Sequence, residues 1–197
     1  MKGKYLFLAA LVAVCSCTPK NVADKIKDRT LKTYCIVCSD KNKDQKISPE
    51  EASAVESIDV SGLKVSSLKG LQYFTGLKTL NISETKVEKL VVNSPSLEVL
   101  KCEKNDGLVS IDVSKCPSLN FIYASHTSLS SLDLSKQPDL CRLWVDSTPI
   151  TSLNVASCPK LNNINVQNCP GLKEVVLSPD VDKEMLSVLK DDSTTIR

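Results

Sequence analysis

The chain has 197 residues, with 25 lysines and arginines against 23 aspartates and glutamates, so its formal net charge is only +2. This balance excludes the strongly basic surface of a nucleic-acid-binding domain, and we expect no nucleic-acid partner. Few aromatics, six glycines and a single histidine are typical of a repeat protein rather than an enzyme. Because the sequence contains no nucleophile elbow, phosphate loop or catalytic metal-ligand cluster, we predict that the protein is not an enzyme.

The N-terminus, "MKGKYLFLAALVAVCSC", joins two lysines to an apolar run that is short for a membrane span. It resembles a bacterial lipoprotein signal, in which the cysteine after a small residue is cleaved at and lipidated, and this favours Cys17. An ordinary secretory signal or a short anchor is the alternative. We therefore predict a signal peptide over residues 1–16, a lipid-anchored linker over 17–30 and a location in the cell envelope. Thr18 after the cysteine favours the outer membrane.

Residues 31–55 are predicted to form a helical N-terminal cap that includes the loop "SDKNKDQKISPEEA". Places 1, 3, 5, 7, 9 and 12 of an EF-hand calcium loop are filled by Asp40, Asn42, Asp44, Lys46, Ser48 and Glu51. Gln45 stands where that loop needs glycine, and a positive φ there costs about 1 kcal/mol or more. A capping box from Ser48 to Glu51, with Pro49 at the first helical position, explains part of the pattern without a metal. One structural calcium ion therefore remains a hypothesis.

Two cysteines, Cys35 and Cys38, precede this loop in the motif "CIVC". In an oxidising envelope they are a candidate disulfide. No thioredoxin-like βαβ pattern surrounds them, so we do not predict a redox role.

An internal repeat dominates the rest of the chain. The segments "LKTLNISET", "LEVLKCEKN", "LNFIYASHT", "LCRLWVDST" and "LNNINVQNC" start 20, 22, 21 and 21 residues apart. Each has aliphatic residues at its first and fourth places, a small or aliphatic residue at the sixth, and Thr, Asn or Cys at the ninth. A second series, exemplified by "LSSLDLSKQ", lies between them with the same pattern. Each turn therefore carries two short extended segments, and stacked turns bury one continuous core.

These segments resemble leucine-rich repeats, "LxxLxLxxN", of the 21-residue variety common in lipoproteins and surface proteins of Bacteroides-like bacteria. The resemblance implies a leucine-rich-repeat solenoid over residues 56–178, a β-rich superhelix of parallel strands with short helical caps at both ends. In that family an EF-hand-like segment often precedes the repeats, as residues 31–55 do here. We predict that the tail, residues 179–197, contains an amphipathic helix with Met185, Leu186 and Leu189 on one side.

The ninth places form a predicted ladder of short side chains that serve backbone groups where each strand bends away. Its members are Thr85, Asn105, Thr127, Thr148 and Cys169. In the second series, Cys116 and Cys158 are two turns apart with Gln137 between them, too far for a disulfide. We predict that the repeat cysteines are buried thiols acting as small hydrophobic groups.

Three aromatic residues are crowded onto two successive turns. Because side chains alternate along a strand, third- and fifth-place residues face solvent on the concave side. The third places hold Phe121 and Arg142, the fifth places Tyr123 and Trp144, and the strand exits His126 and Asp146. Exposed aromatics with an arginine are typical of the centre of a binding interface. The alternative is that neighbouring rings only stabilise the sheet, by about 0.2–1 kcal/mol per pair.

We therefore predict a lipid-anchored binding protein of the cell envelope that engages a protein partner through its concave face. The alternative is a glycan-binding accessory lipoprotein of a nutrient-uptake system, in which a sugar ring stacks on Trp144 or Tyr123. A third interpretation is a structural envelope component. His126 and Asp146 are expected to be solvated rim residues rather than an acid–base pair.

Overall fold

The computed structural model of the protein describes residues 20–197. The predicted signal peptide and its lipidation site Cys17 lie outside the described residues. In the part of the chain that is described, none of the helices is long and apolar enough to cross a bilayer.

The N-terminal cap consists of a 3-10 helix, Val22–Lys25, and two α-helices, α1 (Arg29–Ser39) and α2 (Pro49–Ser53). The side chain of Asp28 caps α1 by accepting a hydrogen bond from the Leu31 amide. The predicted capping box is confirmed at α2, where Ser48 and Glu51 bond each other's backbone amides.

The prediction of a linker over residues 17–30 is wrong from Asn21 onward, where the chain joins the cap. Val22, Ala23 and Ile26 are buried in the core. The Val22 amide also donates to the Ile47 carbonyl at 2.8 Å. Burying these apolar side chains beneath the EF-hand-like loop, residues 40–51, is more favourable than leaving them in water, so the segment folds with the cap. We call residues 40–51 the calcium-like loop.

The repeats form a stack of parallel strands in three sheets. The largest sheet has seven strands, one from each turn, in the order β1-β2-β4-β6-β7-β9-β11. These strands are β1 (Ser57–Asp59), β2 (Thr79–Asn81), β4 (Val99–Lys101), β6 (Phe121–Tyr123), β7 (Arg142–Trp144), β9 (Asn163–Asn165) and β11 (Ser187–Leu189). The second-series strands form a pair, β3 (Lys89–Val91) with β5 (Ser110–Asp112), and a trio, β8 (Leu153–Val155), β10 (Glu174–Leu177) and β12 (Thr195–Ile196).

The repeat pattern explains this topology. Within the turn that contains β7, the first-, fourth- and sixth-place residues Leu140, Leu143 and Val145 are fully buried. The middle residues of successive strands are in register, as Ile122 is with Leu143. The predicted solenoid of parallel strands is therefore confirmed. One detail differs, since the second-series segment 129–137 forms no strand and so divides the second side into two sheets.

In the first six turns, a left-handed residue follows the strand of the seven-stranded sheet, at the eighth place of the repeat. Glu84, Lys104, His126, Ser147 and Asn168 have φ between 54° and 58°. In the first turn this place is Gly62, with φ 70°. The conformation costs a non-glycine residue about 1 kcal/mol or more.

The ninth-place ladder offsets this cost, as the sequence predicts. Thr127 and Thr148 donate their hydroxyls to the carbonyls of Ala124 and Val145, at 2.9 and 2.7 Å. Asn105 bonds two carbonyls and also accepts from the Thr85 amide. Backbone groups at the bend are thereby satisfied inside the protein.

The predicted C-terminal helix is wrong. Residues 179–197 instead continue the solenoid, because β11 pairs with β9 and β12 pairs with β10. Met185 and Val188 fall at the first and fourth places of this longer last turn, and Val188 is in register with Ile164. The free edges of β9 and β10 offer hydrogen bonds that outweigh a short helix, which is marginal on its own. The helical cap therefore exists at the N-terminal end only, within residues 20–197.

The N-terminal cap closes the β1 edge of the seven-stranded sheet. The Asp59 amide, which points away from β2, donates to the Tyr34 hydroxyl of α1 at 3.0 Å. Gly76 lies so near α2 that a Cβ at this residue would be 2.1 Å from the Ser53 carbonyl oxygen. The cap and the first turns are thus packed directly on each other.

Candidate binding surface on the seven-stranded sheet

The predicted binding residues meet on two neighbouring strands, β6 and β7. Their middle residues point into the core, so the flanking side chains lie on the opposite face of the sheet. Phe121 is in register with Arg142, and Tyr123 with Trp144. We call these four residues the aromatic patch.

The members of the aromatic patch pack on one another. The rings of Tyr123 and Trp144 meet edge to face, with centroids 5.1 Å apart. The guanidinium of Arg142 lies 5.6 Å from the Phe121 centroid and 5.9 Å from that of Trp144. Its Nη1 donates to the Tyr123 hydroxyl at 3.1 Å. The four side chains are consequently half-buried, which corrects the expectation that they stand freely in water.

The aromatic patch is fixed on its far side by β9. The indole Nε1 of Trp144 donates to Asn163 Oδ1 at 2.6 Å. This bond orients the only tryptophan of the chain and occupies one amide oxygen beside it. The patch is therefore a preformed surface rather than a set of mobile side chains.

The Nε of Arg142 is buried and has no hydrogen-bond partner in the described chain. The ion pairs of residues 20–197 all involve other cations. A guanidinium normally satisfies most of its five N–H groups. This incomplete bonding could not be foreseen from the sequence, because it depends on how the rings enclose the arginine.

His126 and Asp146 are neighbours, but their contact runs through the backbone. The His126 amide donates to the Asp146 carbonyl at 3.0 Å, and the imidazole is exposed. The Asp146 carboxylate accepts hydrogen bonds from the Ser125 hydroxyl and from Asn165 Nδ2. The carboxylate therefore organises the strand exits next to the aromatic patch, and no acid–base pair is formed between these two side chains.

The calcium-like loop is closed by its own amides. Asp40 accepts from the Asp44 and Gln45 amides, Asn42 from the Asp44 amide, and Asp44 from that of Lys46. Gln45 has φ 64°, the left-handed conformation that an EF-hand loop needs at this place.

Glu51 completes this closure from α2. It accepts from the Lys41 and Ser48 amides at 2.9 Å each, and these bonds, from Ser48 and then Lys41, hold its pKa below the ordinary value. In residues 20–197 no group of three His, Cys, Asp or Glu side chains is arranged to hold a metal ion. The carboxylates of the loop thus bind backbone amides, and calcium binding stays a prediction.

The candidate disulfide is not formed in the structure, where Cys35 and Cys38 are both free thiols on α1. Cys35 is buried and Cys38 is exposed. Burial, with a smaller effect of Cys38, raises the pKa of Cys35 to about 12. In the repeats, burial raises the pKa of Cys158 to about 11, and the buried state predicted for Cys116 and Cys158 is confirmed.

We expect iodoacetamide at pH 8 to label Cys38 in the folded protein at least about a hundredfold faster than Cys35, because only a thiolate that solvent reaches is reactive. Peptide mapping by mass spectrometry measures both rates. In urea the two rates should converge. Equal labelling without urea would contradict the buried position of Cys35.

The architecture defines a solenoid protein of short leucine-rich turns with one preformed aromatic surface. Residues 29–193 match a family model described as "FBD-associated F-box protein At5g56370, LRR repeats". The chain therefore belongs to this leucine-rich-repeat family. No curated protein matches the chain.

Two solved structures show the same fold. The functional domain of InlJ from Listeria monocytogenes, which includes a cysteine ladder, is 19% identical with a TM-score of 0.51, over 90% of this chain and 48% of that one. The leucine-rich repeat domain of the type III effector XCV3220 (XopL) is 18% identical with a TM-score of 0.58, over 76% and 57%. The protein thus spans about half the length of these chains, and the likeness concerns the fold alone.

Proposed function

We propose that the protein is a lipid-anchored, non-catalytic binding protein of the cell envelope, and that it binds a protein partner through the aromatic patch. Leucine-rich-repeat solenoids typically serve protein interaction, because the stacked strands offer one extended surface. The anchor and the envelope location rest on the lipoprotein-like motif that ends at Cys17. Thr18 supports an outer-membrane position.

The single observation that carries this proposal is the concentration of large side chains on β6 and β7. The outward places of the flanking strands hold Val99 and Lys101 on β4 and asparagines on β9, and carry no ring. Tyrosine, tryptophan and arginine are enriched among the residues that dominate binding energy. Because the patch is held rigid before any partner arrives, little side-chain entropy is lost on binding.

The contacts within the aromatic patch also stabilise the sheet, so a role in stability and a role in binding are compatible. Cross-strand pairs account for about 0.2–1 kcal/mol each. They do not account for the buried, unpartnered Nε of Arg142, which adds a cost that sheet stability alone does not require. We therefore favour a binding role.

A glycan-binding role has one supporting feature, the amides of Asn163 and Asn165 beside Trp144. Two contacts oppose it. The guanidinium of Arg142 lies over the Trp144 ring, and Asn163 already accepts the indole N–H. This surface therefore lacks the open, flat ring with free amides beside it that would suit a sugar.

A double substitution, Tyr123→Ala with Trp144→Ala, tests the proposal. We expect it to weaken capture of a specific envelope protein by at least about a hundredfold, since each lost anchor is worth about 2 kcal/mol or more. Affinity capture followed by titration with the purified partner measures this loss. Thermal unfolding should show that the variant stays folded.

The matched control replaces two exposed aliphatic residues of the second series, Val91 on β3 and Val109 just before β5, with alanine. It should capture the partner like the wild type. Undiminished capture by the aromatic double variant would refute the proposed surface. Binding in a glycan array, reported by Trp144 fluorescence, without a protein partner would favour the alternative.

A further inference from the structure

We propose that the aromatic patch receives a side-chain carboxylate from an acidic segment of the partner, and that Arg142 is the group that binds it. This inference rests on the proposed function and specifies the chemistry of the partner. It follows from the charges on the seven-stranded sheet and from the incomplete bonding of Arg142.

Only three of the outward-facing places along the seven described strands carry a charge, namely Asp59, Lys101 and Arg142. Asp59 is already satisfied, because it accepts hydrogen bonds from Ser61 and from Asn81. Burial alone would raise the pKa of Asp59, but these bonds, with the nearby Lys101, lower it overall. The acid on this face therefore has its partners.

The two cations differ from the acid in this respect. Neither Lys101 nor Arg142 forms an ion pair within residues 20–197. Asp146, the carboxylate at the exit of β7, is bound by Ser125 and Asn165 instead. The centre of the face thus combines apolar rings with cations that form no ion pair within residues 20–197.

The surroundings of Arg142 suit a carboxylate. One guanidinium nitrogen, Nη1, is oriented by the Tyr123 hydroxyl, and the buried Nε lacks an acceptor. The rings of Phe121 and Trp144 flank it at 5.6 and 5.9 Å, and apolar surroundings strengthen a charge-assisted hydrogen bond. A carboxylate matches the planar fork of arginine in a way that a neutral amide does not.

Lys101 sets a second requirement on the partner. It is in register with Tyr123, and β4 lies two strand spacings, or about 10 Å, from β7. Three residues of a polyproline II chain make one full turn, span about 9 Å and bring both side chains to the same side. An acidic segment that crosses the strands in this conformation, with carboxylates three residues apart, can therefore reach Arg142 and Lys101 together.

Isothermal titration with two peptides tests this inference on the full protein. The acidic peptide ELAELAE should bind at least about tenfold more tightly than its neutral counterpart QLAQLAQ, because only carboxylates form charge-assisted bonds with the guanidinium. Raising the salt concentration from 50 to 500 mM should weaken the binding of the acidic peptide and leave that of the neutral peptide unchanged.

Variants at Arg142 locate the effect. Arg142→Met should remove the preference for the acidic peptide, and Arg142→Lys should retain only part of it because the fork is lost. The matched control is Arg197→Met, since Arg197 pairs with Glu174 next to the second-series sheet and should not matter. Circular dichroism verifies that each variant is folded.

Equal binding of both peptides, no binding of either, or tight binding of oligogalacturonate in their place would each overturn the inference. These outcomes are separable from failure of the proposed function. If the captured partner depends on Tyr123 and Trp144 but is indifferent to Arg142→Met, the function stands and the carboxylate is excluded. If no partner depends on the aromatic residues, the function itself fails.

Discussion

Replacing Leu143 with alanine is expected to lower the free energy of unfolding by about 3 kcal/mol, within the usual range of about 2–5 kcal/mol for a buried leucine. Leu143 is fully buried at the middle of β7, in register with Ile122 on one side and Ile164 on the other. Because the strand ladder fixes the spacing of the turns, the neighbours cannot move in to fill the cavity. Each turn is stabilised mainly by its neighbours, so the defect weakens both adjoining interfaces.

Urea denaturation followed by circular dichroism measures this change. Val91→Ala is the matched control, because Val91 occupies a strand but is 70% exposed. It should change the free energy of unfolding by less than about 0.5 kcal/mol. A loss below about 1 kcal/mol for Leu143→Ala would contradict the continuous core.

The second large effect is expected for Asn105→Ala, with a loss of about 2–4 kcal/mol, because each buried group left unpaired costs about 1–3 kcal/mol. The buried Asn105 side chain donates to the carbonyls of Ile82 and Cys102 and accepts from the Thr85 amide at 2.6 Å. Alanine provides none of these bonds. It leaves the Thr85 amide and the Cys102 carbonyl without their partner.

Asn105→Thr is the informative comparison, because threonine fills the ninth place in other turns. Its hydroxyl should reach the Cys102 carbonyl as Thr127 reaches Ala124, and so recover about half of the loss. Thermal and urea unfolding of the three proteins give the ranking. If alanine and threonine were equally damaging, the ladder would not act through these hydrogen bonds.

The regular part of the fold could be predicted because a period of about 21 residues leaves little choice of architecture. Once Ile122 and Leu143 are placed in the core, the alternation of side chains puts Phe121, Tyr123 and Trp144 together on the other face. The neighbours within the aromatic patch follow from counting residues alone. The half-buried state of the rings and the unpartnered Nε of Arg142 do not, because both depend on side-chain packing.

The ends of the chain escaped prediction for a different reason. At the C-terminus, Met185, Leu186 and Leu189 fit a helical face. The segment forms a strand instead because the edge of β9 is available for pairing. Paired residues of β9 and β11 are also 24 positions apart in the sequence rather than 21, and this longer spacing hid the first- and fourth-place pattern. At the N-terminus, Val22 and Ile26 become core residues only through contacts with distant segments.

The hydrogen bond from the Asp59 amide to Tyr34 affects whether the sheets of two copies of the protein can pair edge to edge. A sheet of parallel strands can grow into a fibre only if every copy offers two open edges, one to receive and one to add. Tyr34 of α1 occupies the Asp59 amide at the first of these edges, so a strand of another copy cannot pair with that amide. The cap thereby hinders the first step of head-to-tail polymerisation.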